Sequence, residues 1–467
     1  MSRSLSRPAG RCAAMSRGCA PRWLAAVLVA FMAAPATARC VDESAFDPAA
    51  GIEPIVPATV DPRAQLQSMV RDALERSQAI GAAKLLAEAA IADVAEARSA
   101  KSLQASLSAG FGPAGSHSSN ANSSTSEASA LQARASLTIS QLLFDGGRVD
   151  RLTDWRSQLA ESARFGHLTQ QEQLAMNTVA LALERSRFRQ HVLVYGQYVR
   201  KMSCLVEALG TIVAADRGRA SELVQARKSL QQAELSQSQA QSQVRQIEVR
   251  LRRLVGDGLP GVEGLSTVLL QVPELAELVA DVERSTEIAQ LGAQAAAAAK
   301  YADVVATNTK PQLSWSFAGA QTAGLGGNHG NTRNGSLSVG IQVNVPLLNP
   351  GHAPATDAAR KRASAAALQR AEALDARRYR VTEVYEQTQS ALDRARRVGG
   401  VLRDSEQVRN FTLQQWQQLG RRSLFDVMGA EAEHYNLRVS YVNALHDGQQ
   451  MNALLLSLGR GVSEWLR

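Results

Sequence analysis

Two glycine-rich stretches of the sequence have the spacing of a nucleotide-binding loop. GFGPAG at 110–115 matches the pattern G-x-G-x-x-G, in which backbone amides and a helix N-terminus hold a pyrophosphate. A run of Ser and Asn follows it instead of a helix, and GLGGNHG at 324–330 also lacks the helix. Since the helix N-terminus supplies much of the anion site, both stretches indicate loops rather than a cofactor site.

The histidines and potential nucleophiles of the chain form no recognisable catalytic pattern. Seven histidines are scattered over 467 residues, without an HExxH segment or a Cys/His cluster. No G-x-S-x-G segment and no Ser/His/Asp grouping is discernible. We therefore predict no enzymatic activity, no cofactor and no metal site, and a secreted enzyme is the weakest of the alternatives.

The first 38 residues have the layout of an export signal. Five arginines precede an apolar run at 23–34, and Ala-Thr-Ala at 36–38 fits a small-x-small cleavage site. The long basic part leaves Met1 and Met15 as alternative starts of translation. The apolar run is shorter than the roughly twenty residues that a spanning helix needs, which argues against a retained membrane anchor.

Removal of this signal changes the charge of the chain. The signal contains five of the 51 Lys and Arg residues and no acidic residue, so 46 basic and 43 acidic residues remain, a net charge of +3 instead of +8. We therefore predict no nucleic-acid partner. Cys40 and Cys204 are too few for a disulfide framework, and Arg39 stands where a lipidation signal needs a small residue.

Four segments alternate apolar and polar residues with the period of a strand. We predict these strands at about 102–111, 132–143, 311–319 and 335–346. Loops rich in Gly, Ser and Asn are predicted between them, at 112–130 and 320–335. Strands with one apolar face occur in one-sided soluble sheets and, with that face outward, in membrane barrels.

The same order of elements occurs twice along the chain. QLLFDGGR at 141–148 ends a strand and begins a long proline-free helical pattern, and VPLLNPGH at 345–352 repeats this at an offset of 204. We predict repeat 1 at 62–260 and repeat 2 at 273–459, each with a helix, two strands and long helices. The other predicted parts are a signal peptide at 1–38, an N-terminal extension at 39–61, a linker at 261–272 and a tail at 460–467.

Both strand-to-helix corners contain residues that are typical of a helix start. Asp145 and Asn349 are good N-cap residues, because their side-chain oxygens accept an amide of the first turn. Gly146 and Gly147 follow the first of them, and Pro350-Gly351 follows the second. We predict that Pro350 occupies the first helical position, where the missing N–H costs nothing.

Four strands are too few to close a barrel, which needs about eight. An open sheet with one apolar face would expose its edges to aggregation. We therefore predict an oligomer, in which two chains supply eight strands and three chains supply twelve. The helices would follow the same symmetry and form a tubular bundle below the barrel.

The duplicated layout resembles the TolC-type outer-membrane factors. The likeness rests on QLLFDGGR, on VPLLNPGH and on LGRRSLFDVMGAEAEHYNLRVSYVNAL at 419–445. The resemblance implies a mainly α fold with a small β part: a homotrimer with a twelve-stranded barrel in outer-membrane lipid and a long periplasmic α-helical barrel. It implies a passive exit duct, opened when a periplasmic adaptor and an inner-membrane ABC transporter dock.

The sequence is most similar to the type I secretion members of this family, which export RTX toxins. The transported substrate would then be a polypeptide, with multidrug efflux as the alternative within the family. A periplasmic coiled-coil adaptor or scaffold is the alternative of another class. It would explain the long helices but not four alternating strands in matched positions.

The resemblance also implies a periplasmic entrance and indicates which residues would form it. A family aspartate in a Gly-x-x-x-x-x-Asp pattern lines the closed entrance, and Gly420 and Asp426 have this spacing. Three Asp426 carboxylates around one axis would attract cations. Glu222 stands at the same place in repeat 1, and Arg422 matches an arginine of the salt bridges that hold the entrance shut.

Two positions depart from the family pattern at this entrance. Gly429 stands where a second aspartate is common, and Gln417 stands where the usual tyrosine partner lies. We therefore expect a single acidic ring and a weaker lock. For Asp426, Glu222 and Arg422, a solvated charge at a helix end is the alternative interpretation.

Overall fold

The computed structural model describes residues 61–120, 123–325, 332–419 and 422–467. These residues fall within one compact unit. The predicted signal peptide and nearly all of the N-terminal extension lie outside the described residues, as does Gly420. The boundaries of the predicted repeats, linker and tail stay predictions.

The helices and strands follow one another in the same order in both halves of the chain. The first half contains α1 (Pro62–Arg76), α2 (Gln78–Ser99), β1 (Gln104–Asn120), β2 (Ser123–Phe144), α3 (Arg148–Ala215) and α4 (Ala220–Val255). The second half contains α5 (Leu275–Asp281), α6 (Thr286–Ala306), β3 (Gln312–Leu325), β4 (Thr332–Asn344), α7 (His352–Leu419), α8 (Leu424–Leu458) and α9 (Val462–Leu466).

The two longest helices, α3 and α7, have 68 residues each. At 1.5 Å per residue, each is about 100 Å long. Ala, Gln, Leu and Arg, which favour helices, are frequent in both. Pro354 lies in the first turn of α7, where it breaks no hydrogen bond of the helix. The long proline-free patterns of the sequence therefore do form single helices.

Helix α3 lies in the middle of the helical layer. It packs against α2 and α6 in the part next to the strands, and against α4 and α8 in the part remote from them. Helix α7 packs against α6 and α8. Each long helix therefore belongs to a hairpin, α3–α4 or α7–α8, and α3 and α8 join the two hairpins.

The largest apolar core lies where α1 and α9 pack against the middle of α3 and the end of α8. Leu66 and Met69 of α1, Leu183 of α3 and Val462 of α9 are buried in it. The segment after α4 is fixed to this core by two buried amides of α8, which donate to its backbone carbonyls. These are Gln449 to Leu265 and Val268, and Asn452 to Leu269 and Gln271.

The four strands form one antiparallel sheet in the order β1-β2-β3-β4. One row across the sheet consists of Leu107, Leu137, Gly319 and Leu337. The neighbouring row on the other face consists of Ser106, Thr138, Ala318 and Ser338. The predicted alternation therefore places apolar side chains on one face, and within one chain this face is open, with Leu107 76% and Ile341 71% exposed.

The strands are longer than the sequence pattern predicts. Most of the predicted loop 112–130 is paired, with Ala114 opposite Ala130 and Ser118 opposite Ser126. Much of the predicted loop 320–335 is paired as well, as with Gln321 opposite Gly335. The loop predictions are wrong because backbone hydrogen bonds require no apolar side chains, so a strand can continue where both faces are polar. At its other end β4 stops at Asn344 rather than at 346.

The first strand-to-helix corner differs from its prediction in position. Gly147, not Asp145, precedes the first residue of α3. The buried carboxylate of Asp145 still accepts hydrogen bonds from the amides of Gly147 (2.9 Å) and Val149 (2.6 Å). Gly146 and Gly147 have φ angles of 64° and 82°, which glycine adopts without the steric cost of a Cβ atom. The corner is thus a tight turn held by Asp145.

The second corner is built in another way. Helix α7 begins at His352, so the prediction that Pro350 is its first residue is wrong. Pro350 and Gly351 lie in a turn before the helix, and the backbone carbonyl of Asn349 accepts the amide of His352 at 3.1 Å. Proline cannot adopt a positive φ, so this turn cannot copy the left-handed glycines of the first corner.

We predict that Gly146→Ala destabilises the protein, by about 1–3 kcal/mol. A Cβ atom would be strained at φ 64° and would lie 2.5 Å from Cδ of Lys310. Gly351→Ala is the matched control at the second corner, because its φ is not positive and the nearest atom lies at 3.5 Å. Thermal unfolding in detergent at one scan rate measures both. Equal losses in the two variants would contradict the role of the left-handed turn.

Candidate functional site

The two helical hairpins end in tips that lie side by side. In the first tip, Asp216 and a short 3₁₀ turn at Arg217–Arg219 connect α3 to α4. In the second tip, residues 420–423 connect α7 to α8. Apolar side chains of α3, α4 and α8 form a core that joins the tips, and its buried members are Met202, Leu205, Leu209, Ala226, Leu424, Val427 and Met428.

Asp426 lies in the first turn of α8 and is exposed. Its Oδ2 accepts the amide of Ser423 at 3.1 Å, and its own amide donates to Oγ of Ser423 at 3.3 Å. This reciprocal pair is a capping box, and a carboxylate at a helix N-terminus is further stabilised by the helix dipole. Within one chain, Asp426 therefore has the helix-end role that was the alternative to an entrance residue.

Glu222 has the equivalent position in the first turn of α4 but different surroundings. Its Oε2 lies 3.0 Å from Nη2 of Arg219, and the side chain is largely buried. Because Arg219 neutralises this carboxylate, Glu222 contributes less negative charge at its tip than the exposed Asp426. The two acidic positions are thus related by the repeat but are not equivalent in electrostatics.

Arg422 is exposed at the start of the second tip. Its Nε donates to Oε1 of Gln415 at 3.2 Å, and no ion pair joins it to another described residue of the same chain. Gln417 is exposed nearby on α7, and a side chain at Gly429 would meet open space. A gating salt bridge of Arg422 stays a prediction and requires a partner from another chain.

A buried charged cluster joins the two hairpins, and sequence reasoning missed it. Glu431 of α8 is 0% exposed and lies 3.7 Å from both Nζ of Lys201 on α3 and Nη1 of Arg409 on α7. His434 follows one turn later, and burial together with Arg409 and Arg438 lowers its pKa to about 3. The available signal was polar residues at positions 431, 434, 435 and 438, which share one face of a helix.

A second buried polar contact joins α3 and α8 nearer the middle of the helices. His446 is fully buried, with Nδ1 2.9 Å from the carbonyl of Val442 and Nε2 3.3 Å from Oγ of Ser186. Burial lowers its pKa to about 4. Burial, with the charge of Arg187, likewise lowers the pKa of His191 to about 4. These histidines are neutral at pH 7.

The nucleotide-binding loop and the metal site that were considered from the sequence find no support in the described part of the chain. GFGPAG at 110–115 lies within β1 and pairs with β2, so it is extended backbone. In the described ranges, no three His, Cys, Asp or Glu side chains are grouped so that they could hold a metal ion. Of the helices in these ranges, none has the length and apolar character needed to span a bilayer.

Residues 69–257 match the model of the Outer membrane efflux protein family. The matched segment contains β1, β2 and the α3–α4 hairpin, and thus the first corner and the first tip. The matched segment is less than half of the chain. No curated protein matches the sequence.

Solved structures share the fold along almost their whole length. The structure of CusC, whose description refers to transmembrane channel formation, matches with a TM-score of 0.72 and 16% sequence identity. The match covers 89% of this chain and 99% of CusC. The outer membrane protein VceC of Vibrio cholerae matches with a TM-score of 0.71 and 18% identity, and the match covers 85% of this chain and 97% of VceC. The open state of the MtrE outer membrane channel of Neisseria gonorrhoeae matches with a TM-score of 0.66 and 16% identity, and the match covers 85% of this chain and 89% of MtrE. The predicted fold class, mainly helical with a small four-stranded sheet, is confirmed.

We predict that acid destabilises the fold through its buried histidines. The folded-state pKa values of His191, His434 and His446 lie below the ordinary 6.5. Between about pH 6.5 and 4 the unfolded chain therefore binds more protons, and stability is lost as the pH falls through this window. The loss is at most about 1.4 kcal/mol per pH unit for each histidine.

Thermal unfolding at pH 7.5 and pH 5 measures this loss. His446→Gln should lose less stability between the two pH values than the parent protein. His352→Gln, at the start of α7 and away from the α3–α8 contact, is the matched control and should keep the parent dependence. The same pH dependence in all three proteins would show that the buried histidines do not cause it.

Proposed function

We propose that three copies of this chain form an export duct through the outer membrane. One observation carries the proposal: the four-stranded sheet exposes an entire apolar face, and its outer strands β1 and β4 each have an unpaired edge. In lipid, a sheet is stable only when it closes on itself, because unpaired backbone groups there find no water. Three chains supply twelve strands and remove every edge.

The dimensions of the apolar face support this proposal. From Leu313 to Ala323 the strand β3 covers about 33 Å, which at a tilt of about 40° spans about 25 Å of membrane. Aromatic side chains lie near both margins of this band, with Phe111 at one and Trp315 and Phe144 at the other. Aromatic girdles at both interfaces are typical of outer-membrane barrels.

In this proposal, the helices continue the barrel as a periplasmic tube. The α3–α4 and α7–α8 hairpins of three chains would surround the tube, with their tips at the entrance. We propose a periplasmic adaptor and an inner-membrane ABC transporter as the partners that dock at these tips. The duct itself is passive, so the transporter supplies the energy.

Two cargo classes follow from different observations. The description of the matched family favours efflux. The sequence resemblance to the type I secretion branch favours an exported polypeptide. Deletion of the gene distinguishes them: loss of an exported polypeptide without a change in drug susceptibility assigns secretion, and increased susceptibility without loss of export assigns efflux.

We predict that the mature chain, extracted from outer membranes in detergent, has the native mass of three chains. This result follows because twelve strands close the barrel, and native mass spectrometry with a correction for bound detergent measures it. A monomer would contradict the duct. A particle recovered without detergent would also contradict it and would favour the periplasmic adaptor or scaffold.

We predict that Asp426→Asn reduces the cation preference of the duct and weakens its block by divalent cations. An asparagine oxygen can still accept the amide of Ser423, so the variant removes charge while it keeps the cap. Reversal potentials across planar bilayers in a salt gradient measure the effect.

Ser423→Ala is the matched control for this substitution. It removes the hydroxyl that accepts the Asp426 amide and costs about 1 kcal/mol of stability. The three carboxylates stay in place, so the reversal potential should not change. An unchanged reversal potential in Asp426→Asn would show that Asp426 does not line the pathway of the ions.

A further inference from the structure

The contact between the two repeats within one chain covers the first strand-to-helix corner. Strand β2 pairs with β3 as far as Phe144, which lies opposite Leu313. Nζ of Lys310 donates to the carbonyl of Gly146 at 3.1 Å. Helix α3, which begins at this corner, packs against α6. Elements of repeat 2 thus complete the corner of repeat 1.

The corresponding side of repeat 2 is open. Strand β4 ends at Asn344, although the residues after it correspond to the paired end of β2 at an offset of 204. Among them, Leu347 and Leu348 are 91% and 88% exposed, the most exposed large apolar side chains in the described part of the chain. An apolar strand end without a pairing partner indicates that another chain belongs there.

The internal repeat determines how the second corner would be completed. Strand β3 begins 208 residues after β1, and α7 begins 204 residues after α3. These two offsets can be tested on pairs that the structure contains. Leu107 lies opposite Leu137; adding 208 and 204 gives Trp315 and Ile341, which lie opposite each other in β3 and β4. The offsets therefore relate the registers of the two hairpins without a shift.

From these offsets we infer that β1 of a second copy pairs with β4 in one fixed register, in which Ile341 lies opposite Phe111 of the partner subunit. The template is the pair Leu137 and Gly319 of the β2–β3 contact. The pair Gln141 and Trp315 likewise places Val345 opposite Leu107 of the partner subunit. The inference rests on the proposed duct, because it applies to a ring of identical chains.

The register is consistent with the faces of both strands. Ile341, Val343 and Val345 come to lie opposite Phe111, Ala109 and Leu107 of the partner subunit. All six belong to the apolar face, so the band continues across the junction without a change of side. A shift of the register by one residue would move the apolar residues of one strand to the polar face of the sheet. In this register β4 continues to Leu348, as β2 continues to Phe144.

The helices below the strands agree with this register. In the α3–α6 contact, Gly166 lies against the side chain of Gln290. The same offsets place Arg370 of α7 against Ala82 of the partner subunit, on its α2. Leu85 lies one turn after Ala82 and is exposed in the single chain, whereas its counterpart Ala293 of α6 is buried in the α3–α6 contact. Association would therefore bury an apolar side chain of α2.

A second copy fits this side better than an unrelated partner. The free edge of β1 and the free edge of β4 belong to the same sheet, so copies related by rotation pair every edge and leave none. The contact between copies would then be the same kind of contact as the one between the repeats. The six repeats of three chains would form one continuous ring.

Cysteine cross-linking in outer membranes tests the register. The background carries Cys40→Ser and Cys204→Ser, so that only introduced cysteines remain. Ile341→Cys with Phe111→Cys, and Gln342→Cys with Gly110→Cys, then place cysteines directly opposite on the two faces. Directly opposite Cβ atoms lie about 4.5–5.5 Å apart, and diagonal positions lie about 7–8 Å apart. Ile341→Cys with Ala109→Cys is the matched control, two residues out of register.

After mild oxidation, a non-reducing gel should show cross-linked dimers and trimers several times more abundant for the two in-register pairs than for the control. A particle of three chains whose control pair cross-links best, or in which no pair cross-links, would overturn the register but leave the duct intact. A monomer by native mass would overturn the proposed function and the register with it.

Discussion

A strand that faces lipid must pair both of its edges, and the other features of this chain are consistent with that constraint. Backbone N–H and C=O groups find no water in a bilayer, so an open sheet edge is unstable there. One chain supplies four strands and leaves two edges free. In the proposed duct, the apolar face would therefore enter a membrane only after copies have joined, and assembly and insertion would be coupled.

The helical hairpins α3–α4 and α7–α8 extend the repeated pattern of the chain away from the sheet. Because α3 and α7 each have 68 residues and begin within eight residues of the ends of β2 and β4, the two tips lie at similar distances from the sheet. Contacts between α3 and α8 hold the hairpins together through the apolar tip core and through buried groups such as Glu431 and His446. Removing one member of a buried ion pair usually costs several kcal/mol, so loss of Lys201 or Arg409 beside Glu431 would weaken the contact between the hairpins.

Asp426 at the second tip has one role within the single chain and would have a second one in the proposed trimer. Asp426 closes a capping box with Ser423 and so fixes the first turn of α8. In a trimer, the same exposed carboxylate would face its copies around the axis. The helix-end interpretation and the entrance interpretation are therefore compatible, and only the second depends on the assembly. Glu222 forms an ion pair with Arg219 in the first turn of α4, closes no capping box and has less free charge.

The sequence by itself determined the features that depend on local pattern. Period-two alternation in four segments set the apolar face of the sheet, and long proline-free stretches set the long helices. The offset of 204 residues between the corners indicated the duplication. Only the tertiary structure decided where the strands end, because pairing of the polar stretches beyond 112 and 320 depends on a neighbouring backbone rather than on side chains. It also decided the left-handed turn at Gly146 and the burial of Glu431 and His446, since these depend on residues that are remote in the chain: Lys310, Lys201 and Ser186.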